Sequence, residues 1–223
     1  VERTVESNMQ NPDRQRGLGR RLKTEMDSIG RDLDQAMHRV IEALEKRNGF
    51  SADRVSERLV DLLEREEDLN EICLEILGGK KGPTPELRWA GCAHRVLSLL
   101  FRVCEEITGI AAQIGKINEG PELPIRQELP EMGRMASEML TGSIQAVLRP
   151  DAECARRVME EDSCLDRRKE DFANSAVCLV NQTLNDSRAV VPYVLVSRHF
   201  ERIGDHASHI AEEVAYYLGE EPA

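Results

Sequence analysis

Apolar residues recur at intervals of three and four from Leu18 to Leu218, and no stretch of any length alternates in the period of two that a strand requires. That periodicity restricts the chain to an all-α fold. Leu18, Leu22, Met26, Ile29, Leu33, Met37, Val40, Ile41 and Leu44 mark a first long helix, which Asn48-Gly49 ends. A second opens at Ser51-Ala-Asp and runs from Val55 to Leu77, before Gly78-Gly79. The third begins near Pro85 and closes at Gly120-Pro121 and Pro124. Leu129 to Leu148, Ala152 to Leu184 and Arg188 to Leu218 form the next three, broken at Arg149-Pro150-Asp151 and Asn185-Asp186-Ser187. Six helices therefore fall as three and three.

The two halves repeat one another. Ile29-Gly30-Arg31 with Ala43-Leu44 matches Met132-Gly133-Arg134 with Ala146-Val147 at an offset of 103, and Glu86-Leu87-Arg88 matches Asp186-Ser187-Arg188 at an offset of 100. The expected organisation is a polar, aperiodic and disordered segment over 1–14, a first three-helix unit over 15–119 and a second over 120–223. Val1 in place of a methionine fits a trimmed chain.

Charge narrows the partners. A formal charge of −11 and a pI near 5.1 argue against a nucleic-acid backbone and against anionic lipid. The apolar runs fall far short of the roughly 18–20 residues of a membrane helix, so a soluble, cytoplasmic chain is expected. Its six cysteines, at 73, 92, 104, 154, 164 and 178, contain no Cys-x-x-Cys pair and read as small buried apolar residues in a reducing compartment.

Functional side chains concentrate in Glu201-Arg-Ile-Gly-Asp-His-Ala-Ser-His-Ile-Ala-Glu-Glu213. At about 100° per residue, Glu201, Asp205 and His209 share one helical stripe, with Glu212 near its end. Phe200, Ile203, Ala207, Ile210, Ala211 and Val214 form the adjoining core face. Like charges four residues apart cost a helix roughly 0.2–0.5 kcal/mol per pair. The stripe is either solvated and neutralised by Arg198 and Arg202, or it is a cation site, because carboxylate oxygen and imidazole nitrogen bind iron, manganese and zinc. His206 points away from it.

This helix, with Asn185-Asp186-Ser187-Arg188, Pro192 and the closing Val214-Ala215-Tyr216-Tyr217, resembles the last helix of the PhoU family of phosphate-uptake regulators. The resemblance implies two tandem, pseudo-symmetric three-helix bundles, each with a pair of Glu/Asp-x-x-x-Asp motifs that bind metal, iron or zinc above all. In the second half both motifs are present, as Asp162-Ser-Cys-Leu-Asp166 and Glu201-Arg-Ile-Gly-Asp205. With His209, which stands where the family commonly has asparagine, they are the expected metal ligands; the alternative is two exposed stripes paired with Arg167, Arg168 and Arg202. The matching first-half positions are Glu66, Asn70, Phe101 and Glu105, so that bundle is expected to bind metal weakly or not at all. Phe101 extends an apolar run from Leu97 that is either core or a partner surface, and the latter would suit a homodimer.

Catalytic signatures are missing. No histidine follows a glutamate by three, and there is no His-Glu-x-x-His, phosphate loop or Gly-x-Ser-x-Gly elbow. A non-enzymatic role with no catalytic residues is the expectation. The resemblance implies an adaptor that restrains the phosphate ABC transporter, through its ATPase, and a phosphate-sensing histidine kinase when phosphate is abundant. Its alternatives are the cytosolic PhoU-like domain of a sodium-phosphate cotransporter and, more remotely, a metal-dependent phosphoesterase.

Overall fold

The computed structural model describes residues 12–46, 52–79, 84–182 and 187–220. Seven α-helices account for nearly all of them: α1 (Pro12–Lys46), α2 (Ala52–Glu64), α3 (Glu66–Gly78), α4 (Pro85–Glu119), α5 (Leu129–Leu148), α6 (Ala152–Gln182) and α7 (Val191–Leu218). Short 3-10 turns at Pro124–Glu128 and Ser187–Ala189 complete the order, and the described residues contain no strand. Residues 12–14 belong to α1, so the segment expected to be disordered is at least three residues shorter; the rest of it, 1–11, lies outside the described residues, as do the turn at Asn48-Gly49, the Ser51 cap and the turn at Asn185-Asp186.

The second expected helix is bent rather than continuous. Arg65 leaves the helical ladder at φ −83°, ψ −7° and divides it into α2 and α3. Two forces favour the break, one local and one from α1. Glu66, Glu67 and Asp68 sit in the first turn of α3, where the helix dipole stabilises negative charge, and the Arg65 guanidinium reaches Glu25 on α1. Elsewhere the ends follow from their capping residues. Thr84 accepts from the Leu87 N–H at 3.3 Å with Pro85 in the first turn of α4. The Asp151 Oδ1 accepts from the N–H groups of Glu153 and Cys154, both at 3.0 Å. Gly219, at φ 83°, closes α7 in a Schellman pattern, with its N–H donating to Tyr216 O and the Glu220 N–H to Ala215 O.

Helices α1 to α4 form one bundle and α5 to α7 the other, and one contiguous core joins them. Across the join α4 lies on α7 and α1 on α5. The repeat seen in the sequence sets this register. A Cβ on Gly30 would stand 3.0 Å from the Ile144 side chain, and one on Gly133 would stand 2.8 Å from Ile41. Gly133 and Ile144 are the counterparts of Gly30 and Ile41 at the offset of 103, so each half offers the same glycine notch to the same isoleucine of the other. The halves meet as a pseudo-dimer with an isologous interface. The run at Leu97–Phe101 faces inward, with Leu97 and Leu100 0 % and Phe101 4 % exposed, so it is core and gives no support to a homodimer surface.

Candidate functional site

Helix α7 is the hub, packed on α4, α5 and α6. It runs antiparallel to α6: Lys169 meets Glu201, and three to four residues earlier on α6 Leu165 meets Gly204. Gly204 lies inside the motif Glu201-Arg-Ile-Gly-Asp205 and Leu165 inside Asp162-Ser-Cys-Leu-Asp166. Both are buried, and a Cβ at 204 would stand 2.5 Å from the Leu165 Cδ2 and 3.5 Å from Met139. The missing side chain lets the two helices approach closely at the point where each carries its carboxylates. In the first bundle the residue at this register is Cys104, fully buried.

The four carboxylates of the second bundle act on one another. Burial, followed by the charges of Glu201, Asp162 and Asp166, pushes Asp205 up to about 6, with His209 opposing. Asp162 is also raised, by burial first and then by Asp166, with smaller contributions from Glu212 and Glu201. Asp162, Glu201 and Asp205 are half-buried, while Asp166 and His209 are exposed. All five residues singled out from the sequence thus face one shared region between α6 and α7. Among the described residues, however, no group of three or more His, Cys, Asp or Glu is already gathered around a single metal-sized point. The Lys169 ammonium occupies the place of a cation instead, donating to the Glu201 Oε1 at 2.8 Å.

Two of the arginines expected to neutralise the stripe, Arg167 and Arg202, are used elsewhere. Arg167 donates to Ser163 O and the Cys164 Sγ, and Arg202 turns to α4. There, in the join between bundles, Glu106 is only 5 % exposed and takes both the His199 Nδ1 at 2.6 Å and the Arg202 guanidinium at 3.0 Å. The His199 ring lies against Gly109, where a Cβ would stand 2.5 Å from its Cε1. Burial alone would raise the Glu106 carboxyl; the hydrogen bond with His199 and the positive charges of Arg202 and His199 outweigh it and hold the group below its ordinary value. His206 joins this second face, and burial depresses its imidazole against the pull of Glu106. Neither of its ring nitrogens has a hydrogen-bond partner among the described residues. Residues 199, 202 and 206 are spaced as one helical face, the one signal the sequence offered; that Glu106 would be their partner could not be read from a single strand of residues.

The first bundle keeps the weaker pair, Glu66 and Glu105, with Asn70 half-buried and Phe101 in the core. Glu66, Glu105 and Asp32 bear on Cys104, whose thiol burial pushes up to about 12. Neighbouring carboxylates on α1 are paired with arginines: Arg58 donates to Asp32 at 2.6 Å and Arg65 to Glu25. Of the cysteines, 73, 92 and 104 are buried, 154 and 164 half-buried and 178 exposed, and all six are free thiols. Cys178 therefore departs from the expected burial, being placed on the outer face of α6.

Residues 129–214, the three helices of the second bundle, match the PhoU domain. Over 207 residues the chain is 25 % identical to the phosphate-specific transport system accessory protein PhoU homolog of Xylella fastidiosa strain 9a5c, covering 90 % of this chain and 85 % of that protein. It is likewise 25 % identical over 201 residues to the accessory protein PhoU of Escherichia coli K12, covering 88 % and 82 %. The crystal structure of PhoU from Pseudomonas aeruginosa superposes with a TM-score of 0.87 at 23 % identity, over 92 % of this chain and 98 % of that one. A phosphate transport system regulatory protein PhoU from Streptococcus pneumoniae gives 0.83 at 18 % identity, over 92 % and 97 %. The solved structures share the fold, the PhoU domain match falls on the second bundle, and over most of its length this chain is similar in sequence to PhoU accessory proteins.

Proposed function

We propose that the chain is a non-enzymatic, metal-binding accessory regulator of phosphate uptake, which restrains a phosphate ABC transporter and its sensor kinase when phosphate is abundant. The observation that carries the reading is the convergence of Asp162, Asp166, Glu201 and Asp205, with Asp205 driven up to about 6 by burial and by the neighbouring carboxylates. Oxygen donors that repel one another this strongly gain from a multivalent cation, and the donor set suits iron, zinc or manganese. Asp162 and Asp166 from α6 and Glu201 and Asp205 from α7 would hold the ion, with His209 as a nitrogen donor and Lys169 displaced from Glu201. The ion would supply charge neutralisation that ties α6 to α7.

Helix α7 gives that tie a reach beyond the second bundle. Its opposite face is fixed to α4 through Glu106, so the position of α7 is shared by the metal site and by the join between the bundles. A surface composed of both bundles is what an adaptor would offer to its transporter and kinase at the inner face of a membrane. No helix among the described residues is long and apolar enough to cross one.

The test is made in cells lacking the gene. Restoring the wild-type chain should silence a phosphate-starvation reporter and limit phosphate uptake in rich phosphate. Glu201→Ala with Asp205→Ala, present at equal abundance, should fail to do either. Full repression by that variant would remove the site from the mechanism, and failure of the wild type would remove the regulatory role itself.

A further inference from the structure

The pseudo-two-fold join between the bundles has two equivalent ends, and the chain crosses at only one. At that end the connection from α4 to α5 fills the space: Leu123, Ile125 and Arg126 are buried, Arg126 donates to Ala43 O at 3.3 Å, and the Tyr193 hydroxyl donates to Pro121 O at 3.2 Å. At the other end lie the start of α1, the start of α4, the α5–α6 turn and the end of α7, and between them is a cavity of about 420 Å3. It is lined by Trp89, Tyr217 and Pro150, by the cations Arg16, Arg20 and Lys23, and by one carboxylate, Glu86.

Three features give this cavity a chemistry. Three cations against the single carboxylate of Glu86 leave the lining net positive in a chain whose net charge is −11. Among the described residues neither Arg16 nor Arg20 enters an ion pair, and Lys23 is held only by its ammonium lying 5.0 Å above the Trp89 ring. The cations project from successive turns of α1, and seven residues at 1.5 Å rise span about 10 Å, too long for one orthophosphate and suited to a polyphosphate chain. Trp89, 8 % exposed, has an indole N–H with no partner among the described residues. The volume lies within the range of small-molecule sites, roughly 300–1,000 Å3.

We propose that this cavity binds a purine nucleoside polyphosphate, with the phosphates on Arg16, Arg20 and Lys23 and the base against the aromatic wall. A charge-assisted bond to phosphate is stronger than an exposed cation–π contact, so the phosphate draws Lys23 off Trp89 and frees the ring for stacking. The inference rests on this end of the join alone and is independent of the carboxylates between α6 and α7.

Trp89 is the only tryptophan in the chain, so its fluorescence reports the cavity directly. The intact protein is titrated with ATP, GTP, adenosine and inorganic phosphate, and heats of binding are measured in parallel. Expected is a saturable change with ATP or GTP, weakened at least tenfold in Arg20→Glu with Lys23→Glu. A variant of equal charge at distant exposed sites, Lys46→Glu with Lys116→Glu, should bind as wild type does. No saturable response to either nucleotide overturns the proposal, and since that arm uses wild-type protein it stands whatever the variants do. It is overturned equally if adenosine or phosphate alone matches the nucleotides, or if the distant variant loses as much affinity.

Discussion

Replacing Gly204 by alanine should have the opposite effect to the same change at Gly91, although both are helical glycines. In a helix interior the exchange from Gly to Ala gains about 1 kcal/mol from backbone propensity. At Gly91 nothing lies within 4 Å of the new Cβ, so that gain is expected in full. At Gly204 the Cβ would come to 2.5 Å from the Leu165 Cδ2, in a core where Leu165 is 1 % exposed and cannot swing into solvent. Overpacking of this kind costs about 1–3 kcal/mol. The two variants should therefore differ by that amount, and at about 2–4 °C per kcal/mol for a chain of this size their melting midpoints should lie roughly 2–12 °C apart, with Gly91→Ala the higher. Thermal unfolding followed by circular dichroism reads the difference. Equal stabilisation in both would refute the close approach of α6 and α7 at Gly204, and with it the reason their carboxylates meet.

Two further perturbations address the rest of the molecule. Glu106→Gln should destabilise by about 1–3 kcal/mol, because a buried carboxylate is lost from two donors while the half-exposed Arg202 regains water. Since the folded state holds Glu106 below its ordinary value of 4.5, the carboxylate's contribution is complete above that pH and fades as the pH falls below it. The gap between wild type and variant in urea unfolding should thus narrow on acidification; a gap that widened would contradict the assignment. Alkylation of the native protein should reach Cys178 first, while Cys73 and Cys92, pushed up to about 11 by burial, and Cys104, pushed up to about 12, should react only on unfolding. Mass spectrometry of partially labelled protein would show the order, and early labelling of Cys104 would count against the packing around it.

What the sequence revealed and what it withheld divide along a physical line. Periodicity located the helices because each must bury one stripe, a spacing of four put Glu201 and Asp205 on one face, and the resemblance to the PhoU family pointed to Asp162 and Asp166 as their partners. The break at Arg65 was hidden because one of its two causes, the contact with Glu25, joins residues forty apart. Gly204 was read as part of a motif, whereas its role is to admit Leu165 from another helix. His199, Arg202 and His206 formed a legible face, but the buried Glu106 that gives the face its meaning lies in the other bundle. Leu97–Phe101 was ambiguous for the same reason: an apolar run states that it will be covered and leaves open by what.

The most direct measurement is the metal content of the purified, tag-free protein by elemental analysis, for wild type, Glu201→Ala with Asp205→Ala, and Glu66→Ala with Glu105→Ala. Iron, zinc or manganese is expected at a fixed stoichiometry in wild type, retained in the first-bundle variant and lost in the second-bundle variant with helicity intact. A metal content unchanged by loss of Glu201 and Asp205, or no metal in wild type even after loading, would contradict that expectation and return these carboxylates to a solvated acidic face.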